Sequence, residues 1–139
     1  REVLQSFREP APAKVAKTLG LRRGSEIIHL ETRSLADRQV NSLASHYFSA
    51  RRFPDLIAAF DREGSITEAL KNLGVADYLR KRTAITARMP DAYEARQLEI
   101  PKNQPVLVAE AVNVDSKGKP LEFCISRSPA NRRQFVVET

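Results

Sequence analysis

The chain predicts an α+β domain, a mainly antiparallel β-sheet flanked by short helices. Three observations lead there. Two segments with two-residue periodicity, 26–35 and 40–49, follow one another across a short polar join, which makes a hairpin and no strand–helix–strand unit. Helical patterns of about two turns lie between the strand patterns, one after the first strand, a successive pair after the hairpin and one after the Tyr78 strand. Strands and helices never alternate steadily, as a parallel sheet would require.

Taken in order, Glu2 to Arg8 reads as a first strand, ended by Pro10-Ala11-Pro12, whose prolines suit the first turn of a helix. Val15, Ala16 and Leu19 then recur at helical spacing, and Gly20 closes that helix. The hairpin follows, joined at Ala36-Asp37-Arg38-Gln39. One face of its first strand carries Ile28, Leu30, Thr32 and Ser34, and the other His29, Glu31 and Arg33. Its second strand sets Ser42, Ala44, His46 and Phe48 against Leu43, Ser45 and Tyr47. On one face oil gives way to hydroxyls midway. A strand packed against a solid core has no need of that change, whereas one that leaves a core to wall a solvated cavity does.

Phe53-Pro54-Asp55 opens a helix with Leu56, Ile57 and Phe60, stopped before Gly64. Ser65 and Glu68 have capping-box spacing for a helix holding Ile66, Ala69, Leu70 and Leu73, ended by Gly74. Tyr78 to Met89, rich in Thr and Ile without a breaker, reads as a strand. Asp91 and Glu94 make a second capping box for a helix of Ala92, Ala95 and Leu98. Gln104 to Val114 is apolar on both faces, as expected of a central strand covered on both sides. Asp115 to Gly118 is a turn, Leu121 to Ser128 a strand, and Gln134 to Val137 a short final strand.

At 139 residues one domain suffices, and a chain of this size buries roughly 70% of its unfolded surface without staples. The single Cys124 forbids an internal disulfide and suits a reducing, cytoplasmic setting. No apolar run reaches the length of a membrane span. A start at Arg1 leads us to expect a piece of something longer. The excess of 23 basic over 17 acidic residues gives +6, which raises the question of nucleic acid. The basic residues are scattered doublets and one triplet, Arg80-Lys81-Arg82, with no Trp and three Tyr to stack on bases, so they read as solvated surface.

Enzyme motifs are absent. His29 and His46 sit on separate strands and the only thiol is Cys124, so no pair has metal-ligand spacing, no metal site is expected, and both read as structural histidines. The glycines are isolated, without a phosphate loop, and no cofactor is implied. What remains is a set of hydroxyls: Thr32, Ser34, Ser65, Thr67, Ser126 and Ser128, with Glu122 on the strand face of Cys124, Ser126 and Ser128. Neutral donors beside a capped helix end suit a small anionic or polyhydroxyl ligand better than bond-breaking.

The ordered run Leu19-Gly20-Leu21-Arg22-Arg23-Gly24, Ser45-His46-Tyr47-Phe48, Gly64-Ser65-Ile66, Ala95 to Pro101, Gln104-Pro105-Val106-Leu107 and Leu121-Glu122-Phe123 resembles the UTRA domain. That is the effector-sensing half of GntR-type bacterial transcription regulators of the histidine-utilisation-repressor branch. Within it, the segment around His46 and Leu98-Glu99-Ile100-Pro101 looks most like the phosphonate-operon regulators. The resemblance implies a chorismate-lyase-like fold, a buried effector pocket, a homodimer, and an amino-terminal winged-helix DNA reader that this chain lacks. It places the pocket at Thr32, Ser34, Ala44, Ser65, Thr67, Glu122 and Ser128. Sugar-phosphate-sensing members carry arginines at the positions of Thr32 and Ser34 and an acid at that of Ala44. All three differ here, which argues against a sugar phosphate. Arg33 points to the opposite face and cannot stand in.

The expectation is therefore a ligand-sensing domain for a small anionic, phosphonate-like metabolite. A chorismate-lyase-type enzyme is the alternative on shared architecture, and a nucleic-acid module ranks third on charge alone.

Overall fold

The computed structural model describes residues 1–139. Six strands, β1 (Glu2–Pro10), β2 (Glu26–Ala36), β3 (Gln39–Ser49), β4 (Tyr78–Arg88), β5 (Val106–Asp115) and β6 (Pro120–Pro129), form one sheet in the order β1-β2-β3-β6-β5-β4. Every pairing is antiparallel. Four short helices, α1 (Ala13–Leu19), α2 (Leu56–Glu63), α3 (Ile66–Asn72) and α4 (Ala92–Leu98), cover it, and none is long and apolar enough to cross a membrane. The expected fold class is the one observed.

The β2–β3 hairpin sets the sheet's two faces. Ile28 lies opposite Phe48, Leu30 opposite His46, Thr32 opposite Ala44 and Ser34 opposite Ser42, so the alternation read from the sequence is the real register. A bulge follows Ser34. On this first face Ile28, Leu30 and Phe48 pack under α2 and α3, against Leu56, Phe60, Ile66 and Leu70, in the largest apolar cluster. Beyond Leu30 no helix covers the strands.

The second face is filled from end to end. Val15, Ala16 and Leu19 of α1 pack on Ile27 and Phe123, and Leu98 of α4 packs on Val40, Leu43, Val106 and Val108. Phe7, His29, Tyr47 and Phe123 form a ladder across β1, β2, β3 and β6, with successive ring centroids 4.8, 4.6 and 6.0 Å apart. Between α1 and α4 lies a buried polar network centred on Glu31, only 4% exposed. Tyr93 Oη donates to Glu31 Oε2 at 2.7 Å, Arg127 Nη2 to the same oxygen at 3.2 Å, and His29 Nε2 lies 2.8 Å from Oε1. Arg127 Nη1 donates to Ser45 Oγ at 3.0 Å, and Ser45 in turn donates to Glu31. Arg88 grips Glu94 with both Nη groups at 2.6 and 2.8 Å.

The helix-start signals differ in how fully they are realised. At α4 both halves of the Asp91–Glu94 capping box form. At α3 only one does: Glu68 N–H donates to Ser65 Oγ at 3.3 Å, while the Glu68 carboxylate lies with Lys71. Strand β5 corrects a second expectation, because the central pair is β3 and β6 and β5 lies next to the edge. Its two apolar faces have different causes. Val106 and Val108 pack under α4, whereas Ala109 and Ala111 floor an open space on the first face.

The final strand expected at Gln134 to Val137 does not form. After β6 the chain makes a 3-10 turn, Ala130–Arg132, and residues 133–139 have no regular structure. A strand needs a neighbouring backbone, and these residues meet none, so β-propensity alone leaves Val136 and Val137 exposed.

The hairpin turn is strained. Asp37 and Arg38 have φ of 51° and 67°, the left-handed region that costs a non-glycine residue about 1 kcal/mol. Arg38→Gly is expected to stabilise the domain by roughly 1 kcal/mol in urea unfolding, and Arg38→Val to destabilise it.

Burial alone would raise the Glu31 carboxyl, but hydrogen bonds from His29, Ser45 and Tyr93 and the charge of Arg127 more than offset it and hold the pKa at about 2. A carboxyl lowered by folding contributes stability that is present above its ordinary 4.5 and is lost as pH falls from there toward about 2. Glu31→Gln, which leaves Arg127 poorly matched, is expected to cost about 3 kcal/mol at pH 7. The gap between the two proteins should narrow steadily in unfolding curves taken below pH 4.5.

Candidate functional site

Where α2 and α3 stop covering the first face, the sheet opens into a hollow of two adjoining lobes that share four lining residues. One lobe, about 360 Å³, lies between the start of α3 and strands β3 to β6, with Ser65, Thr67, Tyr78, Arg80, Asn113 and Glu122 in its wall. The other, about 230 Å³, runs along the hydroxyl half of the hairpin, with Thr32, Ser34, Ser42, Ala44, Ser126 and the small floor of Ala109 and Ala111. His46, Cys124, Arg80 and Arg1 belong to both. Arg133 and Phe135 of the carboxy-terminal segment close the second lobe from above.

The size of the side chains makes the hollow. Ala44, Ser126 and Ala109 are consecutive neighbours across β3, β6 and β5, and Ala111 follows two residues on along β5, so no large group rises from that part of the floor. The same strands carry Phe48, Leu30 and Ile28 where the helices need filling.

A chain of hydrogen bonds crosses the floor. Arg80 Nε donates to Asn113 Oδ1 at 2.9 Å, and Asn113 Nδ2 donates to Glu122 Oε1 at 2.8 Å. Glu122 Oε2 accepts from His46 Nδ1 at 2.7 Å, and His46 Nε2 lies 3.5 Å from Thr32 Oγ1. Every link is a side chain on a strand, hence rigidly placed. Burial by itself would lower the His46 pKa, yet Cys124 and Glu122 beside it prevail and raise it from 6.5 to about 9. Arg80 spends only Nε on the chain, leaving its Nη groups without a protein partner at the wall. With Arg1 and Arg133 also present, positive groups outnumber the one carboxylate.

Of the residues expected at the site, Thr32, Ser34, Ala44 and Ser126 line one lobe, and Ser65, Thr67 and Glu122 the other. Ser128 does not line it. It is buried on the same face, opposite Leu107 and beyond the floor of the hollow. Ser65 Oγ caps α3, and Thr67 Oγ1 is 2.8 Å from Tyr78 Oη, so both hydroxyls are partly engaged. Glu122 uses both oxygens within the protein.

Sequence reasoning missed His46, Arg80, Asn113 and Cys124. Spacing alone makes His46 a structural histidine, a role that His29 does fill. Its signal was present, since it shares the hairpin face of Thr32 and Ala44. Arg80 reads as surface charge, and nothing local distinguishes it from Lys81 and Arg82. Only the register with Asn113 brings it to the wall. Arg33 behaves as expected, on the opposite face, donating to Glu2 and to the Gln97 carbonyl.

Comparison with known proteins agrees with this architecture. An HTH-type transcriptional regulator of Rhizobium meliloti is 33% identical over 99% of this chain, and PhnF of Escherichia coli K12, named a transcriptional regulator, is 32% identical over 99%. The chain spans 57% of the length of each. Among solved structures, the PhnF C-terminal domain superposes with a TM-score of 0.86 at 32% identity, covering 99% of this chain and 87% of that one. The effector domain of PhnF from Mycobacterium smegmatis shares the fold with a TM-score of 0.87 at 24% identity, over 99% of this chain and 85% of that one. The UTRA domain profile matches residues 1–134, and the chain belongs to the UTRA domain family.

Proposed function

We propose that this domain is the ligand-sensing part of a GntR-type transcription regulator and binds a small anionic metabolite, phosphonate-like in its chemistry. The observation that carries the reading is the lining of the hollow: hydroxyls on the floor, the His46 ring at the junction of the lobes, and the Arg80 guanidinium at the rim. A guanidinium donor binds an oxyanion through charge-assisted bonds, about twice as strong as neutral ones. Thr32 and Ser34 add neutral donors that accept several geometries. Arg80, reaching in from β4, thus supplies from another strand the guanidinium that the hairpin lacks.

DNA contact, in this reading, belongs to an amino-terminal winged-helix domain outside the 139 residues, and ligand binding favours one geometry of a homodimer. Self-association is supported by the unpaired edge of β4 and by the exposed apolar side chains of Leu79, Ile85, Val136 and Val137. The role is regulatory and not catalytic, in keeping with relatives named as regulators.

A thermal-shift screen against phosphonates, sugar phosphates, carboxylates and amino acids tests the reading. A ligand at about 100 times its dissociation constant adds roughly 2.7 kcal/mol of stability. Arg80→Ala is expected to weaken the binding of a phosphonate hit at least tenfold, and Ala44→Phe, which fills one lobe, to abolish it. Failure of every anion to stabilise the domain, or unchanged affinity in both variants, would overturn the proposal.

A further inference from the structure

The wall shared by the two lobes holds the chain's only thiol beside a histidine and a carboxylate. His46 on β3 lies directly across from Cys124 on β6, and Glu122 projects from the same face two residues earlier. One ligand atom from each, an imidazole nitrogen, a carboxylate oxygen and the Cys124 sulfur, lies within 4.8 Å of the others. We propose that His46, Glu122 and Cys124 form a three-ligand site for a zinc-type divalent cation, with its fourth position open to the hollow.

The chemistry of the donor set supports this. One nitrogen, one carboxylate oxygen and one thiolate suit a borderline-soft cation, and three protein ligands with one open position are the pattern of zinc sites that also accept an outside ligand. The geometry needs little change. His46 Nδ1 and Glu122 Oε2 are 2.7 Å apart, at hydrogen-bond distance. Two ligands at about 2.0–2.1 Å from a tetrahedral ion sit roughly 3.3 Å apart, so the pair opens by about half an ångström as the metal replaces the proton. Supporting groups are already in place. Asn113 holds the other Glu122 oxygen at 2.8 Å, and Thr32 Oγ1 lies 3.5 Å from His46 Nε2, which orients Nδ1 toward the triad. His46 and Glu122 are buried, while Cys124 is half-buried on the cavity wall and gives the ion a way in. His29, the other histidine, offers no rival site, because its neighbour Glu31 is already committed to Arg127, Ser45 and Tyr93.

A bound cation would place a positive, ligand-exchanging centre at the junction of the lobes, where an oxyanion or a water completes its coordination. The cation site does not depend on the sensing role and is tested apart from it.

The test uses the 139-residue chain, freshly reduced and stripped of metal, titrated with zinc against a chromophoric chelator and separately with cobalt(II) followed by absorption. One equivalent of each is expected to bind, zinc with micromolar or tighter affinity. The cobalt form should show thiolate-to-metal charge transfer, which in this chain arises from Cys124 alone. Cys124→Ser should lose that band and at least a tenfold factor in zinc affinity. Asn113→Ala, which leaves all three ligands, should weaken zinc about tenfold. Zinc should also protect Cys124 of the unaltered chain from alkylation, a measurement that needs no variant. Absence of stoichiometric binding, a cobalt spectrum without charge transfer, unprotected Cys124, or zinc affinity unchanged in Cys124→Ser would each overturn the site. Thermal shifts by phosphonates in the presence of a chelator report on the sensing role separately, so either reading can fail without the other.

Discussion

The buried ion pair of Glu31 and Arg127 is the constraint on which the sheet's division of labour depends. Moving two charges out of water is costly, and they stay ionised because the donors around Glu31 are aimed at its carboxylate while Arg127 donates to Glu31 and Ser45. Ser45, His29 and Tyr93 satisfy Glu31, and Arg127 also lies 3.4 Å from Glu94, which Arg88 clamps in turn. The network joins β2, β3, β6 and α4, so it fixes the strands from one side. With that side locked, the other is free to leave part of its floor unfilled.

An unfilled floor is ordinarily a liability, because side chains around an empty space lose packing contacts. Here the lining is polar, and the polar groups are organised among themselves. The chain from Arg80 through Asn113, Glu122 and His46 to Thr32 uses donors and acceptors that would otherwise be buried without partners. Its order also sets the charge. Glu122 engages His46 Nδ1, Asn113 keeps Glu122 oriented, and Arg80, Arg1 and Arg133 present positive groups to whatever enters. The two faces solve the same problem, polar groups inside a small domain, in opposite ways. One buries them as a closed network, and the other leaves them at the wall of a hollow.

Much of this was legible along the chain. The hairpin register, the hydroxyl half of its inner face, the helix starts at Ser65 and Asp91, and the opposite orientation of Arg33 all follow from local rules of alternation and capping. Errors came where the local rule lacked a neighbour to act on. Gln134 to Val137 has the side chains of a strand and no backbone to pair with. β5 has the apolarity of a doubly covered strand, yet its alanines are small because they floor a cavity. Ser128 keeps the periodicity of Ser126 but lies past the end of the hollow, and periodicity carries no information about where a cavity stops.

The sequence by itself determined which residues share a face, since a two-residue repeat is a property of the strand alone. It also determined that one face turns from apolar to hydroxyl partway along. Only the tertiary structure decided which faces meet. The strand order β3-β6-β5-β4 places His46 beside Cys124 and Asn113 beside Arg80, residues far apart in the chain whose proximity no local pattern encodes. The physical reason is that pairing between distant strands is selected by burial of whole faces. The chemistry of an individual side chain at the seam is a consequence of that choice and not its cause.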